Sequence, residues 1–131
     1  MEVALAQPKH KQWSISLALV LNQVLAVAPL MIVVMLFATS WRAQAVLGYW
    51  PEPMNPDPKS IQSDLLYTML LYSVYVIWFL AQISIVAFPA LLLLFRRRYH
   101  PFQIVVLMAI FIGGWLLFRA DPGLRFYWFV D

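Results

Sequence analysis

Three long apolar runs, separated by two polar segments, constrain this chain more than any other feature of its sequence. They extend over residues 13–41, 65–95 and 102–118, and none of them contains Asp, Glu, Lys, Arg or His. A helix needs about 20 apolar residues to cross a hydrocarbon core of ~30 Å. The first two runs exceed this length and the third just reaches it. The sequence therefore predicts an all-α integral membrane protein with three transmembrane helices.

Composition supports this prediction and excludes several classes of function. Hydrophobic residues make up 63% of the chain and charged residues 11%, whereas soluble domains contain about 45–50% and about 25%. The basic residues behind the net charge of +3 lie at the ends of the apolar runs, so we expect the lipid bilayer, and no nucleic acid, as a partner. Cysteine is absent, which excludes disulfides, thiolate metal sites and cysteine nucleophiles.

The basic residues also predict an orientation. They cluster before the first run and between the second and third, where the connection reads Arg-Arg-Arg-Tyr-His over residues 96–100. Lys and Arg in short loops stay on the cytoplasmic side, so we expect a multi-pass protein of the cytoplasmic membrane with its N-terminus inside and its C-terminus outside. The predicted layout is a cytoplasmic arm (1–12), helix 1 (13–41), a Pro-rich outer loop (42–64), helix 2 (65–95), a basic cytoplasmic loop (96–101), helix 3 (102–118) and an outer aromatic tail (119–131).

The connection at residues 96–101 suggests two further features. Because it is short, helices 2 and 3 are expected to form a tight antiparallel hairpin. Its charged residues, Arg96, Arg97 and Arg98, act as a stop-transfer anchor in the simplest interpretation. They also suit anionic lipid headgroups, although dedicated lipid-binding clusters usually hold about 4–8 basic residues.

Each predicted helix carries small or polar residues that suit helix packing or an apolar ligand. Membrane helices approach closely at small residues and exchange hydrogen bonds through polar ones. Gln82 lies near the middle of helix 2, where an unpaired amide is costly, so we expect it to point inward and to bond Asn22, Gln23 or a partner subunit. The candidate residues are Asn22, Gln23, Thr68, Tyr72, Tyr75, Gln82, Ala109 and Gly113.

The residue types that catalysis requires are almost missing from the apolar runs. An ionisable side chain within the membrane would mark a functional site, and these runs contain none. His10 and His100 lie outside the runs, which argues against a bis-histidine haem inside the bundle. We therefore expect neither an enzyme nor a bound cofactor or metal.

The favoured hypothesis is a non-catalytic small subunit that packs into and stabilises a larger membrane complex, with other membrane protein subunits as partners. Polar groups within the spans favour it, and so does an aromatic tail at residues 126–130, which is expected either to fold back along the outer interface or to pack against a partner. One alternative is a homo-oligomeric binding or transport module for a lipid, quinone or other apolar ligand. It is suggested by a face of helix 2 and its proline kink, with the residues Thr68, Tyr75, Gln82 and Pro89. Another is a membrane immunity protein, which no residue pattern specifically favours.

Overall fold

The computed structural model describes residues 9–52, 61, 64–121 and 125–130, with side chains from residue 15 onward. Within these residues the chain forms three long helices, α1 (Lys9–Leu47), α2 (Leu65–Leu94) and α3 (Pro101–Ala120), and a short helix, α4 (Arg125–Val130). The three long helices are long and apolar enough to cross a membrane. This confirms the predicted all-helical architecture, while the orientation in the membrane stays a prediction.

Helix α1 is the element on which the other helices pack. Its contacts with α2 and α3 are the most extensive in the described chain, and α4 also lies against it. Helices α2 and α3 approach each other less closely and meet through Phe88 and Phe111, whose ring centroids are 4.5 Å apart. The tight packing of helices 2 and 3 as a hairpin therefore stays a prediction. From residue 15 onward, the buried apolar residues of α1 are Leu25, Ala26, Ala28, Pro29, Ile32, Val33, Leu36 and Ala43.

Helix α1 is longer than the apolar run that predicts it. It starts at Lys9 rather than Trp13 and ends at Leu47 rather than Trp41, because good helix formers continue the helix beyond the apolar residues. Gly48 then ends it with φ of 81°, and its N–H donates to the Gln44 carbonyl at 2.8 Å. This left-handed conformation is the common way in which a glycine terminates a helix.

The aromatic tail folds back onto the bundle as α4. Asp121, with φ of 41°, ends α3, and its carboxylate oxygens accept hydrogen bonds from the backbone N–H groups of Phe126 at 2.7 Å and Tyr127 at 3.2 Å. Trp128 is 1% exposed and Phe129 is 5% exposed. The tail therefore folds back onto its own chain through Trp128 and Phe129, while Tyr127 and Val130 remain exposed. A contact of the tail with a partner stays a prediction.

The bundle has two ends that differ in chemistry. We call the end that carries the connection between α2 and α3 the hairpin end. We call the opposite end, which carries α4 and the start of α2, the tail end. All three basic residues of the connection, Arg96 to Arg98, form a 3₁₀ turn at the hairpin end.

Candidate functional site

A buried polar contact ties the hairpin end to α1. Asn22 is completely buried, and its Nδ2 donates to the Tyr99 hydroxyl at 3.1 Å. That hydroxyl lies 3.4 Å from the Leu19 carbonyl, to which it donates. The Oδ1 atom of Asn22 is buried and has no hydrogen-bond partner in the described part of the chain. Asn22 thus pairs with the loop, not with Gln82 as the sequence suggests.

An apolar groove lies next to this contact, between α1 and α3. Its volume is about 290 Å³, and Tyr99 forms the wall nearest the loop. Gln23, which is exposed, and Gln103 contribute amides to the lining. The remaining lining residues are Val27, Phe102, Val106 and Leu107. The groove therefore offers an apolar channel with a few hydrogen-bonding groups, the usual character of a site for an apolar or amphipathic ligand.

At the hairpin end, the residue that follows Tyr99 caps α3, and the three arginines that precede Tyr99 are exposed. The His100 ring Nδ1 accepts from the Phe102 N–H at 3.3 Å, and the His100 N–H donates to Gln103 Oε1 at 3.0 Å, which together cap α3. Arg96, Arg97 and Arg98 are all exposed. Within the described residues none of them forms an ion pair.

The tail end is closed by an ion pair that joins α1 to α2. The Arg42 guanidinium donates through Nε to Asp64 Oδ1 at 3.2 Å and pairs through Nη2 with Oδ2. Asp64 Oδ1 also accepts from the Tyr67 N–H at 2.7 Å and so caps α2. The Arg42 guanidinium first, and then the Tyr67 N–H, hold the pKa of the Asp64 carboxyl below its usual value. This carboxylate therefore stays charged at neutral pH, as both contacts require.

On α2 the packed face differs from the predicted one by one residue. The buried residues with heptad spacing are Tyr67, Val74, Ala81 and Phe88, which contact α1, α3 or α4. Gln82 is exposed and has no hydrogen-bond partner among the described residues. The prediction that it points toward another span of this chain is therefore wrong, because apolar packing and not polarity fixes the rotation of α2.

The other candidates on α2 lie at the edge of the packed face or outside it. Tyr72 is 66% exposed and points away from the bundle. Tyr75 is also exposed on one side, with its ring 5.1 Å from that of Phe129. Thr68 donates from its hydroxyl to the Asp64 carbonyl at 3.0 Å, so it supports the first turn of α2. The structure thus does not bring Thr68, Tyr72, Tyr75 and Gln82 together as one site.

On α3 the sequence predicts a close approach at the Ala109–Gly113 pair, widened by Gly114, and within the described chain Gly114 alone of these three makes it. A Cβ placed on Gly114 would lie 2.7 Å from the Leu30 backbone nitrogen and 3.1 Å from the Pro29 Cβ. A Cβ on Gly113 would meet nothing within 4 Å, and Ala109 is exposed. Ala109 and Gly113 therefore form an open small-residue face, and Gly114 is the residue that lets α3 contact α1.

Comparison with known proteins identifies no relative of this chain. Neither the family models, nor the curated proteins, nor the solved structures give a match to the chain. The candidate site is therefore defined by its own geometry, an apolar groove beside the Asn22–Tyr99 contact and the three exposed arginines at the hairpin end.

Proposed function

We propose that this chain is a non-catalytic integral membrane subunit that packs against another membrane protein. The observation that carries the proposal is Gln82, a primary amide near the middle of α2 that is exposed and without a partner among the described residues. An amide in hydrocarbon loses the hydrogen bonds that water supplies, which is costly. A second protein chain provides a hydrogen-bond partner at that depth, which lipid tails do not.

The open face of α3 supports the same proposal. Ala109 is exposed, and Gly113 leaves free space where a side chain would stand. Small residues at this spacing allow a neighbouring membrane helix to approach closely. The aromatic tail gives this proposal less support, because α4 buries Trp128 and Phe129 within the chain.

Site-specific photo-crosslinking in native membranes tests this proposal. A p-benzoylphenylalanine at position 82 is expected to give a discrete protein–protein adduct, because the partner lies against this side of α2. The matched control is position 76, whose Val is 69% exposed and lies about 120° further around the helix. Crosslinking to lipid alone from both positions would contradict the proposal. A second copy of this chain in the adduct would favour the homo-oligomer instead.

Gln82→Leu is the complementary variant. Hydrogen bonds between membrane helices contribute about 0.6 kcal/mol on average, so we expect the assembled fraction to fall less than about threefold, with insertion unchanged.

The proposal includes an orientation with the N-terminus and the hairpin end in the cytoplasm. Support comes from the three consecutive, exposed arginines at the hairpin end, and from Lys9 and Lys11 just before the first apolar run. Retention of Lys and Arg in the cytoplasm gives this orientation.

Cysteine labelling in intact cells measures the orientation directly, since the chain has no cysteine of its own. Glu52→Cys is expected to react with a membrane-impermeant maleimide, and His100→Cys only after the membrane is permeabilised. Both positions are exposed. Tyr99 is unsuitable as a reporter because it is buried. Labelling of position 100 from outside would reverse the orientation.

A binding module for an apolar ligand is the second candidate function. The predicted face of α2 does not favour it, because Tyr75 packs on Phe129 and the Thr68 hydroxyl donates to the Asp64 carbonyl. The groove beside Gln23 and Tyr99 favours it instead.

A further inference from the structure

We propose that the groove between α1 and α3 at the hairpin end binds an anionic glycerophospholipid. One acyl chain lies along the groove, and the headgroup phosphate contacts the arginines of the 3₁₀ turn. This inference goes beyond the proposed subunit role and does not depend on it. It rests on the groove, the turn and the contact that joins them.

The groove has a volume and a lining that suit a lipid acyl chain. At about 290 Å³ it falls just below the ~300–1,000 Å³ range of sites that enclose a whole drug-sized ligand. It therefore suits one chain of a lipid rather than the whole molecule. Val27 and Val106 line it from the two facing helices, and Phe102 lies at the first turn of α3 near the loop. Apolar walls of this kind retain a methylene chain by ordinary van der Waals contact.

The polar groups of the groove lie where a lipid has its polar groups. Gln103 is in the first turn of α3, and Gln23 comes from the opposite wall. Both side chains are exposed, so amide N–H groups are available to ester or phosphate oxygens. Gln103 also accepts from the His100 N–H through Oε1, which leaves its NH₂ group free to donate.

The charge at the mouth of the groove selects an anionic headgroup. Arg96, Arg97 and Arg98 directly precede Tyr99, the wall of the groove nearest the loop. They are exposed and have no ion-pair partner among the described residues. The described acidic residues, Glu52, Asp64 and Asp121, belong to the opposite end of the bundle. A neutral quinone would make no use of these three cations, whereas a phosphate is attracted by each of them.

The buried contact of Asn22 with Tyr99 fixes the mouth relative to the groove. Tyr99 is 8% exposed and its hydroxyl is held by Asn22 and the Leu19 carbonyl. Because Arg98 is its neighbour in sequence, the arginine turn is held beside Tyr99 and therefore close to the groove. Three arginines alone fall short of the about 4–8 basic residues of a surface lipid cluster. The groove supplies a second contribution to binding. Stable attachment of proteins to membranes likewise requires two contributions, such as an acyl chain and a basic patch.

Native mass spectrometry of the purified chain, released from nanodiscs of phosphatidylglycerol and phosphatidylcholine in equal amounts, tests this proposal. We expect one phosphatidylglycerol to be retained in preference to phosphatidylcholine. Arg97→Gln should lower its retention about fivefold, the effect of one juxtamembrane cation. Arg119→Gln is the matched control because it also removes an exposed charge, but from the tail end, and it should leave retention unchanged.

A second pair of variants tests the groove itself. Val106→Trp fills the channel and should abolish preferential retention, whereas Val105→Trp, at a position 66% exposed and outside the lining, should not. If V106W fails to give a monodisperse helical protein, Val27→Phe fills the groove from the opposite wall.

Three results would overturn the proposal. Loss of retention in R97Q but not in either groove-filling variant would mean a surface charge effect without a seated acyl chain. Equal retention of the two lipids, sensitive only to V106W, would mean a groove that does not select the headgroup. Equal effects of R97Q and R119Q would mean non-specific attraction of anionic lipid to net positive charge.

Discussion

Trp128→Ala is expected to lower the free energy of unfolding by about 3–5 kcal/mol, the usual cost of removing a buried large aromatic side chain. Trp128 has the largest side chain among the fully buried residues described, and it packs with Ala43, Ile61 and Tyr67 at the tail end. Helix α4 has six residues, too few to be stable alone. Loss of this anchor should therefore release α4 from the bundle.

Limited trypsin digestion at Arg125 reports the release of α4. In the folded chain the Arg125 guanidinium lies 4.6 Å from the ring centroid of Trp50 and 5.8 Å from that of Phe37, so cleavage there requires the tail to come away. Tyr127→Ala is the matched control, because Tyr127 is next to Trp128 in sequence but its side chain is 62% exposed. Equal rates of cleavage in the two variants would show that Trp128 does not hold the tail.

The long helices could be predicted from the sequence because the membrane leaves little freedom. A span must satisfy every backbone hydrogen bond internally, so a charge-free apolar run of sufficient length becomes a helix. The ends of the helices were less predictable. At the tail end, α1 continues from Trp41 to Leu47 and stops only where Gly48 takes a positive φ, which an apolar run does not encode.

The rotation of each helix could not be predicted in the same way. In a soluble protein a polar stripe marks the outer face of a helix. A membrane span is apolar on every side, so its sequence does not distinguish the packed face from the lipid-facing one. The prediction for α2 relied on polar residues facing inward, and Gln82 is exposed. The shapes of Val74, Ala81 and Phe88 against the neighbouring helices determine the packed face instead.

The contacts between distant segments also lay beyond sequence reasoning. The sequence shows that Arg42 and Asp64 are charged residues near the ends of apolar runs. The Pro-rich residues between them do not indicate how far apart the two side chains lie. Their ion pair follows from the packing of α1 against α2. Tyr99 has the sequence context of a solvated basic loop, and only the fold shows that it is buried beside Asn22.

Gly114→Ala is expected to destabilise the contact between α1 and α3, with a loss of about 1–3 kcal/mol, the usual cost of forcing an extra carbon into a packed site. The added Cβ would lie 2.7 Å from the Leu30 backbone nitrogen, so a helix backbone, not a flexible side chain, has to move. The midpoint of unfolding by SDS in mixed micelles measures this loss.

Gly113→Ala separates this steric effect from the helix preference of alanine. Both substitutions replace a glycine within α3, so both gain up to about 1 kcal/mol of intrinsic helix stability. Only position 114 meets α1, since a Cβ at position 113 has nothing within 4 Å. We therefore expect G113A to be neutral or stabilising and G114A to be destabilising. If the two variants unfold at the same SDS fraction, α3 does not approach α1 at Gly114. The groove between these helices, including the lipid site proposed there, would then lose its structural basis.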